Sequence, residues 1–451
     1  MGRFTRFTVF AAICLLGSQP ALADDLLSIF ELAQRNDPTL RQAEAQLRSG
    51  QTQLTVSRSS LLPQAGASIS ETRQAVGPSS DVDLLSPRDS TRRYGVNLNQ
   101  SVLNMANWYS YQGAREQEQA RLINFAAQEQ ELIIRVANAY FDVLRAIDDL
   151  DTRRQEEEAA ERQYERARQR EEVGLVPITE VYEAQAAYDL ARNNTILAED
   201  TLASRYEALE TITGQPPPTL EVLSEDFPIE PIDGNVESWT REALDNNLPL
   251  QIARHNVSAQ QEVARARRAD HWPTVSLQVG VNRSESDSPT GADGGQRLSG
   301  AIEGSSVSLS VSIPLFTGGA TSARREAAEY DLVAQQEQLN LVRRQTTQDV
   351  RNAFRRINTD ALVVSQRQQA ITSAQAALDA IEAGYEVGTR NIIDVVQARQ
   401  QLFLALRNYS EARYNYVMGT LQLKQVTGML TPQDIIDLNE WLESEAVSAA
   451  P

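Results

Sequence analysis

The second half of this chain repeats the first with almost no insertion over roughly 200 residues, a scale at which self-similarity dictates architecture. Val173-Gly174-Leu175-Val176-Pro177-Ile178-Thr179-Glu180-Val181 aligns with Val387-Gly388-Thr389-Arg390-Asn391-Ile392-Ile393-Asp394-Val395 at an offset of 214 residues. The same offset joins Thr213-Gly214 to Thr427-Gly428. Upstream, Asn36-Asp37-Pro38-Thr39-Leu40 matches Asn246-Asn247-Leu248-Pro249-Leu250, with Pro38 and Pro249 separated by 211, and Pro63 matches Pro273 at 210. The drift of a few residues belongs in loops, where insertions are tolerated. Two like units must therefore account for the fold.

The first residues carry Arg3 and Arg6, an apolar run from Thr8 through Gly17, and Ala21-Leu22-Ala23 ahead of Asp24-Asp25. Residues 1–23 thus read as a secretory signal peptide, because the run is too short to span a bilayer. The single cysteine, Cys14, lies inside that run. The mature chain is then thiol-free, with neither a disulfide framework nor a cysteine-ligated metal, and its stability must come from packing and assembly. Removing Arg3 and Arg6 takes the formal charge from -19 to -21, an acidic balance that argues against nucleic acid as a partner. No later stretch has the length and apolarity of a membrane helix, so any membrane span must be a β-barrel, which also satisfies every backbone hydrogen bond in lipid.

Helix formers dominate from about Ala106 to Glu172, with no proline and with glycine only at Gly113. Leu132, Val136, Ala139, Val143, Ala146 and Leu150 recur at alternating spacings of three and four, the seam of a coiled coil. The second unit repeats this from Ala320 to Glu386, through Val350, Phe354, Ile357, Ala361 and Val364 and on through Ile371, Ala374, Leu378, Ile381 and Tyr385. Each long helix is expected to stop at a glycine, Gly174 or Gly388, and to resume as a second helix over Thr179 to Ile212 or Ile392 to Val426, forming two helical hairpins. Shorter helices are expected from Leu26 to Leu61 and from Val236 to Ala269.

Four short runs alternate apolar and polar residues: Gln64 to Val76, Arg92 to Leu103, Thr274 to Ser286 and Val307 to Phe316. In the last, Val307, Leu309, Val311, Ile313 and Leu315 alternate with Ser308, Ser310 and Ser312. This is the two-residue period of a lipid-facing strand with a polar inner face. The Ser-, Asp-, Gly- and Pro-rich segments Gly77 to Thr91 and Asp287 to Glu303 read as exposed connections. A closed barrel needs about eight strands, so four leave open edges that copies of the same chain must pair. Three copies would give a hollow ring of twelve.

The order of parts resembles the TolC family of outer-membrane efflux and secretion channels along essentially the whole mature chain. Its most specific stretch is Ala374-Gln375-Ala376-Ala377-Leu378-Asp379-Ala380-Ile381-Glu382-Ala383-Gly384-Tyr385-Glu386-Val387-Gly388-Thr389-Arg390, followed by Ala412-Arg413-Tyr414-Asn415-Tyr416 and, upstream, by Leu315-Phe316-Thr317-Gly318-Gly319. The resemblance implies a homotrimer with a long α-helical coiled-coil barrel continuous with a transmembrane β-barrel of twelve strands, four from each protomer. It implies a signal peptide at 1–23, repeats at 24–230 and 231–440, and a C-terminal tail at 441–451. The implied partners are outer-membrane lipid, a periplasmic adaptor protein and an inner-membrane pump or ABC transporter, with drug efflux and type I protein secretion both open. It assigns the chain no chemistry and no cofactor.

The resemblance also places a periplasmic constriction at Thr179, Glu180, Tyr385, Arg390 and Asp394, where Arg390 and Tyr385 would bond to Thr179 and Glu180 and Asp394 would line the closure. Glu180 stands where the family carries aspartate, and Gln397 replaces a second aspartate one turn beyond Asp394, leaving one acidic ring per trimer. The tips Val173-Gly174-Leu175 and Val387-Gly388-Thr389 would meet the adaptor. From the residues alone, Arg390 and Asp394 also read as a solvated i,i+4 ion pair, and both glycines as simple helix caps. Two rival classes remain. An enzyme finds only His255 and His271, each isolated, and no phosphate loop or metal spacing. An exported periplasmic coiled-coil adaptor without a membrane barrel would leave the four amphipathic runs unexplained.

Overall fold

The computed structural model describes residues 25–74, 89–216, 219–290 and 296–443. The signal-peptide segment and most of the first expected connection, 77–88, lie outside them. In chain order the elements are α1 (Leu26–Asn36), α2 (Pro38–Ser59), β1 (Gln64–Gln74), β2 (Asp89–Leu103), α3 (Met105–Glu172), α4 (Ile178–Thr213) and β3 (Val222–Leu223). There follow α5 (Val236–Asn246), α6 (Leu248–Ala269), β4 (Thr274–Thr290), β5 (Gln296–Ser312), α7 (Ala320–Glu386), α8 (Ile392–Thr427), α9 (Pro432–Asn439) and β6 (Leu442–Glu443). Two helices, two strands and a long helical hairpin thus occur twice in the same order. None of the described helices is long and apolar enough to cross a membrane.

Helices α3 and α7 run for 68 and 67 residues, each on the order of 100 Å long. Their expected seams are buried or half-buried: Val136, Val143 and Leu150 on α3, and Val350, Ile357, Ala361 and Val364 on α7. Both hairpins turn on glycine. Gly174 and Gly388 have φ of 73° and 77°, and in the first tip the Leu175 amide reaches back to the Arg170 carbonyl at 2.8 Å, a Schellman closure that needs the left-handed residue.

Each expected short helix is in fact two. Asp37 and Asn247 leave the helical region at φ -59°, ψ 120° and -59°, 121° and cap the helices that follow, accepting from the amides of Leu40 and Leu250. Proline at the start of α2 and α6 supplies a preset φ where no amide is needed. Asp37 is buried and pairs with Arg135 at 2.7 Å. At the corresponding place in the second unit Thr346 and Asn247 meet at 3.4 Å, so a neutral pair replaces an ionic one.

The strands form one antiparallel sheet in the order β1-β2-β4-β5. Its register puts Ala65, Leu98, Val279 and Val307 in one row and Ala67, Val96 and Val281 in the next. Their face is unburied in the single chain, with Val307 at 74 % and Val281 at 60 % exposure. The second expected connection, Asp287 to Glu303, is largely strand instead: β4 continues to Thr290 and β5 begins at Gln296. Beyond the apolar band charged pairs cross the ladder, Arg283 with Glu303 at 3.1 Å between β4 and β5 and Arg92 with Glu71 at 3.5 Å between β2 and β1. At its other end β5 stops at Ser312, before Ile313 and Leu315, because Pro314 has no amide to donate.

The largest core lies where α1 and α9 wrap the middle of α3 and the end of α8, around Tyr140, Phe141, Leu144, Tyr414 and Ile435. Of the expected C-terminal tail at 441–451, residues 444–451 lie outside the described residues, and Leu442–Glu443 form β6, which pairs with β3 and so ties this segment to the first half of the chain. Two-residue strands carry no periodicity, which is why the sequence shows neither.

Candidate constriction at the helical tips

Four helix ends converge where α3 turns into α4 and α7 into α8. Tyr385 stands in the last turn of α7, and its hydroxyl donates to the Glu180 carboxylate in the first turn of α4. The Arg170 guanidinium lies over the Tyr385 ring, 5.4 Å from its centre, a cation–π contact. Partial burial, reinforced by the hydrogen bond to Glu180 and its negative charge, pushes the Tyr385 phenol up to about 12. The phenol therefore stays protonated, and a donor, throughout the physiological range.

Arg390 does not reach Thr179 or Glu180 among the described contacts of one chain. Its guanidinium lies 3.8 Å from Asp394 one turn along, the i,i+4 pair that the bare residues suggest. Asp394 also closes the N-terminus of α8: Asn391 accepts from the Asp394 amide at 2.9 Å, and the carboxylate accepts in return from the Asn391 amide at 3.4 Å. Arg390 folds back over Gly384, where an added Cβ would sit 2.9 Å from Arg390 Cγ. The amides of Thr389 and Arg390 both reach the Gly384 carbonyl.

Sequence reasoning misses the layer behind these residues. Arg399 of α8 binds Glu382 of α7 and donates to the Ala159 carbonyl of α3 at 3.1 Å, stitching the two hairpins together. Tyr164 and Tyr188 stack at 6.2 Å between α3 and α4. Such contacts depend on the relative register of separate helices, which local periodicity does not encode. The tips themselves are bare: Val173 and Leu175 are each 69 % exposed and Val387 75 %, although water would cover smaller side chains at less cost. Among the described residues no group of acidic, histidine or cysteine side chains is arranged to hold a metal ion.

An antiparallel sheet with a bare apolar face, continuous with paired helical hairpins whose long arms run on the order of 100 Å and whose tips end in a polar knot, is the build of one wall segment of a membrane-anchored duct. The outer membrane efflux protein family model matches twice, over residues 29–215 and 239–429, and the chain belongs to that family. It is 36 % identical over 441 residues to outer membrane protein TolC of Vibrio cholerae, covering 96 % of this chain and 97 % of that one. It is 27 % identical to the proteases secretion protein PrtF of Dickeya chrysanthemi, across 97 % of this chain and 96 % of the other. The fold is also that of the CmeC outer membrane channel of Campylobacter jejuni, at a TM-score of 0.75, 16 % identity and 98 % coverage of each chain. The protein is an outer-membrane exit duct of the efflux and type I secretion class, with its helical tunnel in the periplasm.

Proposed function

We propose that three copies close into a twelve-stranded barrel and a twelve-helix tunnel, and that the convergent tips are the gate of that tunnel. The sheet supports closure by copies, since β1 and β5 have no described partner on their outer edges and an unpaired edge in lipid costs several kcal/mol per orphaned group. The single observation that carries the gate is the bond from Tyr385 to Glu180, which ties the end of α7 to the start of α4 and so restrains one hairpin against the other. In the closed trimer Arg390 reaches Thr179 or Glu180 of a neighbouring copy, and three Asp394 carboxylates crowd the axis. Opening breaks these bonds and swings the α7–α8 hairpins outward.

In this reading the bare tips Val173-Gly174-Leu175 and Val387-Gly388-Thr389 receive the helical hairpins of a periplasmic adaptor. That adaptor couples the duct to an inner-membrane pump or ABC transporter, and the cargo is set by that partner, a small molecule or an unfolded protein. Light scattering of the detergent-solubilised protein tests the assembly, and single-channel recording in planar bilayers tests the gate. A monomer with intact β-sheet signal would refute the first. A parent channel already conducting at the full width of its barrel would refute the second.

A further inference from the structure

The sheet order β1-β2-β4-β5 continues below the membrane as a row of helices. Helix α2 packs on α3, α3 on α6 and α6 on α7, and lower down α4 takes the place of α2 while α8 takes that of α6. Each protomer is therefore a wall segment with two lateral edges: β1, α2 and α4 on one side, β5 and α7 on the other. Both edges carry unmatched charge of opposite sign.

On α7, Arg344, Arg351 and Arg355 are exposed and line an open groove of about 670 Å³ with Gln348 and Asn352 between them. At a helical twist of 100° per residue this stripe lies roughly 140° around from the seam of Thr346, Val350 and Ile357, close to the free edge. Among the described residues none of the three has an ion pair, and Arg355 bonds only to Asn352. On α4, Asp200, Glu207 and Glu210 are exposed and likewise unpaired among the described residues. Taken together the three centre roughly 140° from that helix's seam of Thr195, Ala198 and Leu209, in the same rotational sense as on α7.

The two stripes stand at the same height. Asn36 binds the Thr213 carbonyl at 2.8 Å and Asp37, its neighbour, binds Arg135, so the end of α4 is level with Arg135. The offset of 214 equates Thr213 with Thr427, and Asn247 joins Thr346 to the Val426 carbonyl at the end of α8, so Thr346 is level with the ends of both helices. Counting downward from Thr346 on α7 and from Thr213 on α4 sets Arg351 beside Glu207, with Arg344 above and Arg355 below. A rotation about the channel axis preserves height, so the stripes face each other between adjacent copies. Because α7 and α4 run in opposite directions, their matching angular lean puts both on the same side of the wall.

From this geometry we propose that a charged zipper, Arg344, Arg351 and Arg355 of one copy against Glu207, Glu210 and Asp200 of the next, closes the lateral seam between protomers in the upper tunnel. The inference rests on the trimer reading and adds to it the faces that meet and the charge that fixes their register. Electrostatic matching of this kind selects partner and register more than it adds affinity. With no cysteine beyond Cys14, placing one thiol on each stripe is a clean test. The doubly substituted protein R351C/E207C, treated with a short bismaleimide in outer membranes, should yield covalent dimers and trimers on denaturing gels, and neither single variant should. In detergent, R351E/R355E should dissociate on the order of tenfold faster than the parent, and adding E207R/E210R should restore the parent rate. Cross-links confined to single chains, or reversal variants with the parent's dissociation rate, would overturn the zipper while leaving the trimer standing. A monomeric parent would remove the trimer reading and the zipper together.

Discussion

Replacing Tyr385 with phenylalanine removes one oxygen and leaves almost everything else at the proposed gate in place. The ring still fills its half-buried site, and the Arg170 guanidinium 5.4 Å above it keeps its aromatic partner. What is lost is the bond to the Glu180 carboxylate. A hydrogen bond to a charged group contributes about 1.5–3 kcal/mol when well shielded. Tyr385 and Glu180 are only partly buried, so solvent screening reduces this to about 1 kcal/mol per protomer. In the proposed trimer three symmetric copies give about 3 kcal/mol, which is on the order of a hundredfold in the closed-to-open ratio at 1.4 kcal/mol per decade. Single-channel recording of Tyr385→Phe in planar bilayers should therefore show longer or more frequent sojourns in a high-conductance state. The pH dependence gives an internal control. The folded phenol is raised to about 12 from 10.0, so its contribution to closure is complete below pH 10 and is lost as pH rises from there through 12. The parent should open in that window, whereas the phenylalanine variant, already open, should change little. A variant with the parent's conductance and dwell times at pH 7 would remove Tyr385 from the gate.

Asp394→Asn keeps the side chain that caps α8 but removes the charge, so it should abolish block of the channel current by trivalent cations, while Gln397→Asp, adding a second acidic ring, should strengthen it; equal blocking constants in parent and variants would move Asp394 off the axis. Asp37→Ala leaves Arg135 facing a buried void in place of its partner at 2.7 Å and should cost about 3–5 kcal/mol of stability in thermal unfolding, with Asp37→Asn costing less because it copies the neutral Asn247 of the second unit. Burial works against the Asp37 charge, yet Arg135 and the Leu40 amide hold its carboxyl below the usual 3.8; its contribution is thus complete above that value and disappears as pH falls through the lowered one. Gly428→Ala should destabilise far more than Gly388→Ala: both have positive φ, but a Cβ on Gly428 would lie 2.3 Å from the Asn246 carbonyl oxygen, whereas nothing lies within 4 Å of one on Gly388. Val307→Arg on the exposed apolar face of the sheet should cost about 2–4 kcal/mol where that face meets the bilayer midplane, read as the midpoint of denaturant unfolding from vesicles.

The long helices were legible because their information is local and redundant: a three-four spacing of apolar residues sustained over tens of positions in Leu132 to Leu150 and Val350 to Val364 admits one reading. The hairpin tips were legible for a different reason, since Gly174 and Gly388 solve a backbone problem that few other residues can. The breaks at Asp37 and Asn247 were harder to see. An aspartate or asparagine before or beside a proline also occurs in ordinary helix starts, and only the preceding helix's closure onto the same residue turns it into a corner. Strand length at Asp287 to Glu303 is not legible because composition there matches a loop, while the β4–β5 pairing runs on to Thr290 and Gln296. The contact between the helical tips shows where local reading stops. Tyr385 and Glu180 are 205 positions apart, and nothing in either neighbourhood demands the other. Their meeting follows from two hairpins of equal length descending side by side from one sheet, so the repeat itself, which equates Glu180 with Asp394, carries each tip to the same depth. Arg390 pairs with Asp394 at only 3.8 Å with 58 % of its surface exposed, a geometry weak enough that in the proposed trimer a neighbouring copy would compete for the guanidinium.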